Sequence, residues 1–525
     1  MDTETEPIEL GDISYRTRVA HSPDMCDLYG DGRILRRRPG VILGTSSTTG
    51  ALGVGPVYDL VRAALSQYTP TTAPYQQGTD VLHGLYVTSA GYMRPATWLP
   101  GTLPAIPFSA ISGGPYTDAG AVRRMVLCGK NMIIISGDPV ATGSNLQAYM
   151  YWTGTQYAMG NYTLPVNPDG TYLSCQVSAW HKAHVFDLMN LSPLYASRIV
   201  HSDFNNPSSW PILNAFDVPP DGTTRAIGAL SVGDRLLIGR PGDSWMITGS
   251  VAETFRLDNV SRQYGIAGMR GGDIIGPDGA IALLTERKAP AGATVETPVP
   301  RQIGIFSGGA LKVIGDQVLT DIRSGANAIT ETQVQSWPAL DGALIIPKRA
   351  TTVTARNVLF FSTKGLGFYR WTLTAAVAPA CLRETGGTMY IGSIDTSAAT
   401  TIGTVKYFSD AVATDNGTAF TPYWCSPQYW SDEQSIVEWV EIYASQTGGT
   451  GTWSAQRRKM DGTYDTAITF PVVTTDGKPR KYRVTFTGGA VKAEHICAFR
   501  VNMGTDAIAG KIHRIAFGLM GGMGK

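Results

Sequence analysis

The stretch IGALSVGDRLLIGRPGDSWMITGS, Ile227 to Ser250, is broken twice by a Gly-Asp pair, Gly233-Asp234 and Gly242-Asp243. Gly supplies the positive φ of a tight hairpin and Asp bonds nearby backbone, so each pair marks a turn. The stretch reads strand, turn, strand, turn, strand, a small antiparallel meander. Working outward, similar short apolar runs recur: LYVTS from Leu85, MIIIS from Met132, HVFDL from His184, LLIG from Leu236, IALL from Ile281, LIIP from Leu344 and MYIGS from Met389. They are spaced about 45–63 residues apart, the period of repeated multi-stranded blades. Several lead into a second strand bearing aromatics, as in AYMYWTGTQYAM (Ala148 to Met159) and NVLFFSTKGLGFYRWTL (Asn357 to Leu373). The pattern predicts an all-β chain built on a β-propeller of six or seven blades, with the apolar runs as inner strands and the aromatics packed between blades. An array of β-sandwiches is the competing architecture, and the even spacing favours the propeller.

Composition agrees. The chain has 525 residues, too many for one ordinary core and suited to a large β array. Its 60 Gly and 31 Pro are spread along it, as many short strands with tight turns require. Charged residues are only 16%, against about a quarter in ordinary soluble domains. Extensive subunit contact is one reason for so little charge. The formal net charge of +1 does not fit a free nucleic-acid-binding domain. Six Cys stand far apart with no CxxC pair and read as free, mostly buried thiols. The acidic MDTETEPIELGD start lacks a signal-peptide pattern, and no apolar run of about 18 residues predicts a membrane span.

The texture divides the chain into three. Residues 1–42 read as an extended N-terminal arm, 43–420 as the propeller and 421–525 as a C-terminal β-sandwich of half-buried alternating strands. VYDLVRAALSQY, Val57 to Tyr68, is the one stretch with helical spacing.

Motifs of chemistry are weak. His181 and His184 in HKAH have no fourth ligand at a zinc spacing. Asp203, Asp217, Asp221, Asp234 and Asp243 sit among Gly, Pro and Asn, which makes them turn formers before they are paired catalytic acids. There is no GxSxG, HExxH or P-loop. No catalytic residue, cofactor site or metal site is expected, and the chain reads as a non-enzyme. Basic clusters are Arg36–Arg38, Arg123-Arg124, Arg457-Arg458-Lys459 and Lys478–Lys481. Each is first a solvated face or subunit contact. Arg36, Arg37, Arg38, Arg457, Arg458 and Lys459 are the candidates for contact with DNA or a neighbouring subunit.

HSDFNNPSSWP, His201 to Pro211, ends a polar turn on an indole. It partly resembles the Asp-box of sialidase-like propellers, a hairpin turn with an aromatic packed inward. The turn is therefore expected to be a joint, with Asp203 and Ser209 holding the backbone and Trp210 anchoring it.

SDFNNPSSWP, the Ile227–Ser250 meander and QYGIAGMRGGD, in that order, resemble the propeller core of the tail-hub proteins of short-tailed bacteriophages, the packaged-DNA stabilisation family, with tail nozzle proteins similar in architecture. The residues that carry the likeness are Ile227, Gly228, Leu230, Asp234, Leu236, Gly239, Ser244, Thr248, Gly249 and Gly265–Gly268. LRRRPG, Leu35 to Gly40, resembles the family's arm, and KMDGTYDTAI and FRVNMG its sandwich strands. Residues 95–175 and 285–380 match in texture alone.

The resemblance implies a homo-oligomeric, usually hexameric, ring in the virion tail, assembled in the host cytoplasm. It would sit below the portal and adaptor proteins and meet a tail needle, plug or fibres. It would retain packaged double-stranded DNA and pass it through its lumen at ejection, without stable membrane insertion. The alternative is a polysaccharide-binding or polysaccharide-degrading propeller.

Overall fold

The computed structural model describes residues 27–30, 34–43, 57–66, 77–78, 80–87, 92–98, 109–110, 117–118, 124–130, 132–136, 146–163, 166–170, 177–188, 193–218, 225–249, 251–268, 270–277, 279–286, 302–314, 322, 332–350, 354–364, 367–397, 400–426, 429–459, 463–487 and 494–521. Strands dominate. Seven of the described sheets stand around one axis. Their innermost strands, in chain order, are Asp59–Ala63, Arg124–Cys128, Ser178–His181, Gly228–Val232, the pair Tyr264–Ile266 and Gly272–Gly276, Gln333–Trp337 and Pro379–Thr385. Each packs against the next, and the last packs against the first. The ring is closed: the chain is an all-β propeller, with seven blades among the described residues, numbered here in that order.

The apolar runs prove to be the second strand of each blade. These strands are Val81–Val87, Met132–Ser136, His184–Asp187, Arg235–Arg240, Gly279–Glu286, Gly342–Ile346 and Thr388–Ser397. The physical reason is coverage. A second strand is paired on both edges and faced by a neighbouring blade on each side, so it reads as a continuous apolar run. Ile133, Val185, Ile238, Leu283 and Leu344 are accordingly buried. The innermost strands border the axis and mix polar or charged residues, such as Asp59, Arg124, Gln333 and Arg383, with apolar ones. The helical spacing of Val57 to Tyr68 is also overruled: Asp59–Ala63 pairs with Val81–Val87 as the innermost strand of blade one. Short apolar stretches satisfy both periods, and the paired neighbour decides between them.

Glycines set the seam between blades four and five. A Cβ on Gly228 would lie 2.6 Å from the Ile266 carbonyl oxygen, one on Gly239 would strike the Ile266 backbone, and one on Gly265 would strike the Arg240 carbonyl. Backbone lies against backbone here, which only Gly permits. These are glycines of the tail-hub resemblance.

Blade seven takes its fourth strand from the other end of the chain. Gly40–Leu43 pairs antiparallel with Thr400–Ser409 beyond Pro379–Thr385 and Thr388–Ser397. The residues just before it do not form a free arm. Leu28–Gly30 and Leu35–Arg37 make a hairpin that pairs with Lys511–Gly521 in the C-terminal sandwich. That sheet continues through Tyr429–Ser445 to Arg480–Thr485, and faces a second of Tyr423–Cys425, Phe499–Asn502, Ser454–Arg457 and Ile468–Thr469. One continuous core joins the sandwich to blades six and seven. In it Phe360 stacks on Trp371 at 4.9 Å between centroids, and the Trp371 indole N–H donates to the Leu28 carbonyl at 2.9 Å. Cys128, Cys381 and Cys425 are free and buried. Among the described residues no helix is long and apolar enough to cross a membrane.

Candidate functional site

Neighbouring innermost strands splay apart too far to pair, so side chains must satisfy their backbone. Asp59 accepts the Met125 N–H of blade two at 2.7 Å and the Leu60 N–H at 2.9 Å. Asp273 of blade five accepts Ser336 N–H and the Gln335 side-chain amide of blade six, both at 2.7 Å, and Ile274 N–H at 2.9 Å. Gln333 of blade six bonds both backbone groups of Leu382 in blade seven, at 2.7 and 2.9 Å.

Blade five departs from this pattern. Its innermost strand is split: Tyr264–Ile266 and Gly272–Gly276 both lie along Gly279–Glu286, and the chain between them stands opposite Leu283. Ala267 N–H donates to the Leu283 carbonyl at 2.8 Å, and Leu283 N–H to that of Gly271 at 2.6 Å. This bulge sends Arg270 across the axis. Its guanidinium donates to Asp59 at 3.0 Å and to the Met125 carbonyl at 2.6 Å, while its own carbonyl accepts Val334 N–H of blade six at 2.6 Å. One residue thus ties blades one, two, five and six. Bulges of this kind re-aim a side chain at sheet edges and sites.

Other guanidinium groups gather around it. Arg124 donates to the Tyr58 carbonyl at 2.6 Å, and Arg349 lies over the Tyr58 ring at 4.5 Å. Arg124 and Arg349 are buried. Burial pushes Arg124 down to about 10, with Asp59 opposing the shift and Arg349 and Arg270 reinforcing it. Arg383 of blade seven is lowered too, by burial first and then by the Arg270 charge. Among the described residues, guanidinium groups of blades two, five, six and seven thus gather about Asp59 of blade one and Asp273 of blade five. Sequence reasoning noticed Arg123-Arg124 and GIAGMRGGD separately, and had no signal that the fold joins them. Arg123 lies outside the described residues.

The polar turn is held by hydrogen bonds of its own side chains and backbone. Ser209 Oγ donates to Asp203 Oδ2 at 2.6 Å, Asp203 N–H to the Ser209 carbonyl at 2.9 Å, and Asn205 N–H to the Ala183 carbonyl at 2.7 Å. Trp210 is half-buried and packs against Cys128, Met132, Ile134 and Val185, at the seam of blades two and three. His181 and His184 lie on two strands, not one, and flank a hairpin turn in which Lys182 and Ala183 have φ 48° and 63°. His184 Nδ1–H donates to the Ser202 carbonyl at 2.6 Å, and His181 Nδ1 meets Ser231 Oγ at 2.8 Å. Among the described residues no group of three His, Cys, Asp or Glu could hold a metal. Asp243 is a turn former bonded twice by Arg240, at 2.9 Å each; Asp221 and Cys175 lie outside the described residues.

The basic candidates divide. Arg38 is buried between Asp27 (2.7 Å) and Asp415 (2.8 Å) and lies 3.6 Å over the Phe420 ring. Arg37 donates to the carbonyls of Gly504 at 3.1 Å and Ala507 at 2.8 Å. Arg457 pairs with Asp465 at 2.8 Å. As contacts to DNA or a neighbour these three are corrected: each is buried and bonded inside the subunit. Arg36, Arg458 and Lys459 are half-buried and reach the surface.

A pocket of about 450 Å³ opens between the outer strands of blades three and four, lined by His201, Leu213, Phe216, Asp217, Glu253 and Phe255 among others. Beside it the polar turn exposes three large apolar side chains, Phe204 (61%), Ile212 (74%) and Leu213 (89%).

No family model and no curated protein matches this sequence. Among solved structures, the chain is similar to the Pan2 WD40 domain of Neurospora crassa (9% identity, TM-score 0.41, covering 71% of this chain and 95% of that one). It is similar to the N-terminal domain of Nup159 (9%, TM-score 0.37, 71% and 96%) and to a Phanerochaete chrysosporium exo-β-1,3-galactanase with galactose (10%, TM-score 0.26, 92% and 100%).

Proposed function

We propose that the chain is a structural ring subunit of a bacteriophage tail, at the hub or nozzle, that continues the DNA channel and does no chemistry of its own. The observation that carries this reading is the exposed apolar turn of Phe204, Ile212 and Leu213 on blade three, across the ring from the sandwich on blades six and seven. Three large apolar side chains facing water on one blade call for a partner surface. A closed ring of identical subunits needs such a heterologous contact. The axial carboxylates support the non-enzymatic half. Asp59 and Asp273 each accept three N–H bonds, among them bonds that join neighbouring blades, a structural use for both. Portal or adaptor proteins above, a needle, plug or fibres below, and double-stranded DNA in the lumen are the proposed partners. The virion tail is the proposed location. Arg36, Arg458 and Lys459 remain the candidate contacts to DNA or a neighbour.

Light scattering followed by two-dimensional electron-microscope averages tests this. Rings of six, alone or with tail components, are the expected result. A monomer that never forms rings and cleaves host polysaccharide would replace this reading with the glycan-degrading one.

A further inference from the structure

We propose that the pocket between blades three and four binds an alkylguanidinium, the side-chain chemistry of arginine. The cavity holds about 450 Å³, and Ile247, Phe216 and Phe255 give it apolar walls. Three acceptors line it as well: His201, Asp217 and Glu253. His201 is only 4% exposed. Its Nδ1 meets the Ser202 carbonyl at 3.1 Å. A carbonyl can only accept, so Nδ1 carries the proton and Nε2 of the neutral ring keeps a lone pair. Burial lowers the pKa of this imidazole, which keeps it neutral. Nε2 has no partner among the described residues. Asp217 ends the outer strand of blade three, and Glu253 lies in the short turn before the outer strand of blade four. Both are exposed, and neither carboxylate bonds or pairs with a described residue.

The nearby donors point elsewhere. The Asn214 amide donates to Asp203 at 3.4 Å. Arg198, opposite Asp217 in the sheet, lies 5.2 Å over the Tyr195 ring. Arg256 is the one cation among the lining residues. A pocket of acceptors calls for a ligand of donors. A guanidinium carries five N–H donors in a flat fork, is weakly hydrated and stacks on aromatic faces. Its alkyl stem suits the apolar walls. A sugar would leave both carboxylates without a counter-charge. The site rests on blades three and four alone and does not depend on the ring reading above.

The test uses the full chain and n-butylguanidinium, with n-butylammonium and galactose compared at fixed ionic strength. Saturation-transfer NMR on the probe and titration calorimetry are the readouts. The guanidinium is expected to bind saturably and more tightly than either comparison compound. Asp217→Asn and Glu253→Gln should each weaken it about fivefold, as loss of a part-exposed charge-assisted partner does, and leave the unfolding midpoint in place. Arg256→Gln should tighten it, because a like charge is gone. Asp341→Asn, at an exposed ion pair on blade six, should change nothing. Light scattering assigns the source of the cation. A mass that falls when n-butylguanidinium is added places it on a second copy of the chain, and an unchanged mass places it on a free ligand. Absence of binding would overturn the proposal, and so would equal binding by the Asp217→Asn and Glu253→Gln chains. Galactose bound more tightly than the guanidinium would overturn it in favour of a glycan site.

Discussion

At the scale of single residues, Asp203 and Ser209 bond to each other across the turn that ends on Trp210, and its energetics are milder than a fully buried indole would give. Part of its surface stays wet, so Trp210→Ala should cost about 2 kcal/mol and not the ~3–5 kcal/mol of a full core truncation. A urea unfolding midpoint measures it, and an unchanged midpoint would remove the anchoring role. His83 makes a second case. It is buried against Tyr157, with ring centroids 4.7 Å apart, and burial pushes it down to about 4 from 6.5. Between those values the unfolded chain binds a proton that the folded chain refuses. Stability therefore falls as pH drops through that window, is full above it and is flat below it. From about pH 7 to about pH 5 this one residue should cost about 2 kcal/mol. His83→Leu should remove that share of the slope. His181, also lowered to about 4 by burial, contributes in the same direction. What the sequence does not disclose here is partnership. HKAH looks like a ligand pair on paper, and only the hairpin between its two His shows that each answers a different neighbour.

At the scale of elements, the blade rhythm was legible because burial writes it directly. A strand covered on both faces has no choice but to be apolar, and those strands recur once per blade. The reading misplaced them by one position, because sequence shows burial and not distance from the axis. Innermost strands were the hard ones. Asp59–Ala63 mixes Asp and Arg with Leu and Val, and its partners in blades two and five lie far away along the chain. Glycines were legible as punctuation but not as spacers. Gly265→Ala should push blades four and five apart and cost about 3 kcal/mol, at the upper end for overpacking. Gly271→Ala should act differently. Its Cβ would strike the Ala267 carbonyl inside the axial bulge. It should displace Arg270 from Asp59 and loosen the axis while the outer blades stay folded. Hydrogen exchange would show this as lost protection at Met125 and Val334. Uniform loss across all blades would mean that the bulge has no separate role.

At the scale of the whole molecule, residues 27–30 and 34–42, read from the sequence as part of an extended arm, are built into the sandwich and blade seven. Gly, Asp and Arg around residue 36 read as solvent-facing because sequence alone cannot show that Arg38 has carboxylates on both sides. Arg38→Met would leave Asp27 and Asp415 buried without their cation. It should cost about 3–5 kcal/mol, as breaking a buried pair does. Because the clasp touches both domains, calorimetry should show the propeller and the sandwich losing stability together. Loss confined to one of them would show that the clasp does not couple them.

The strand Gly40–Leu43 also sets a timetable. Its partner, Thr400–Ser409, leaves the ribosome more than three hundred residues after it. At roughly 5–20 residues per second, that strand waits tens of seconds with an open edge. Blades one to six can stack in the interval, but the circle stays a horseshoe until the last blade arrives. Birth order, not only final stability, thus decides how long this chain is exposed to wrong pairing with its own kind.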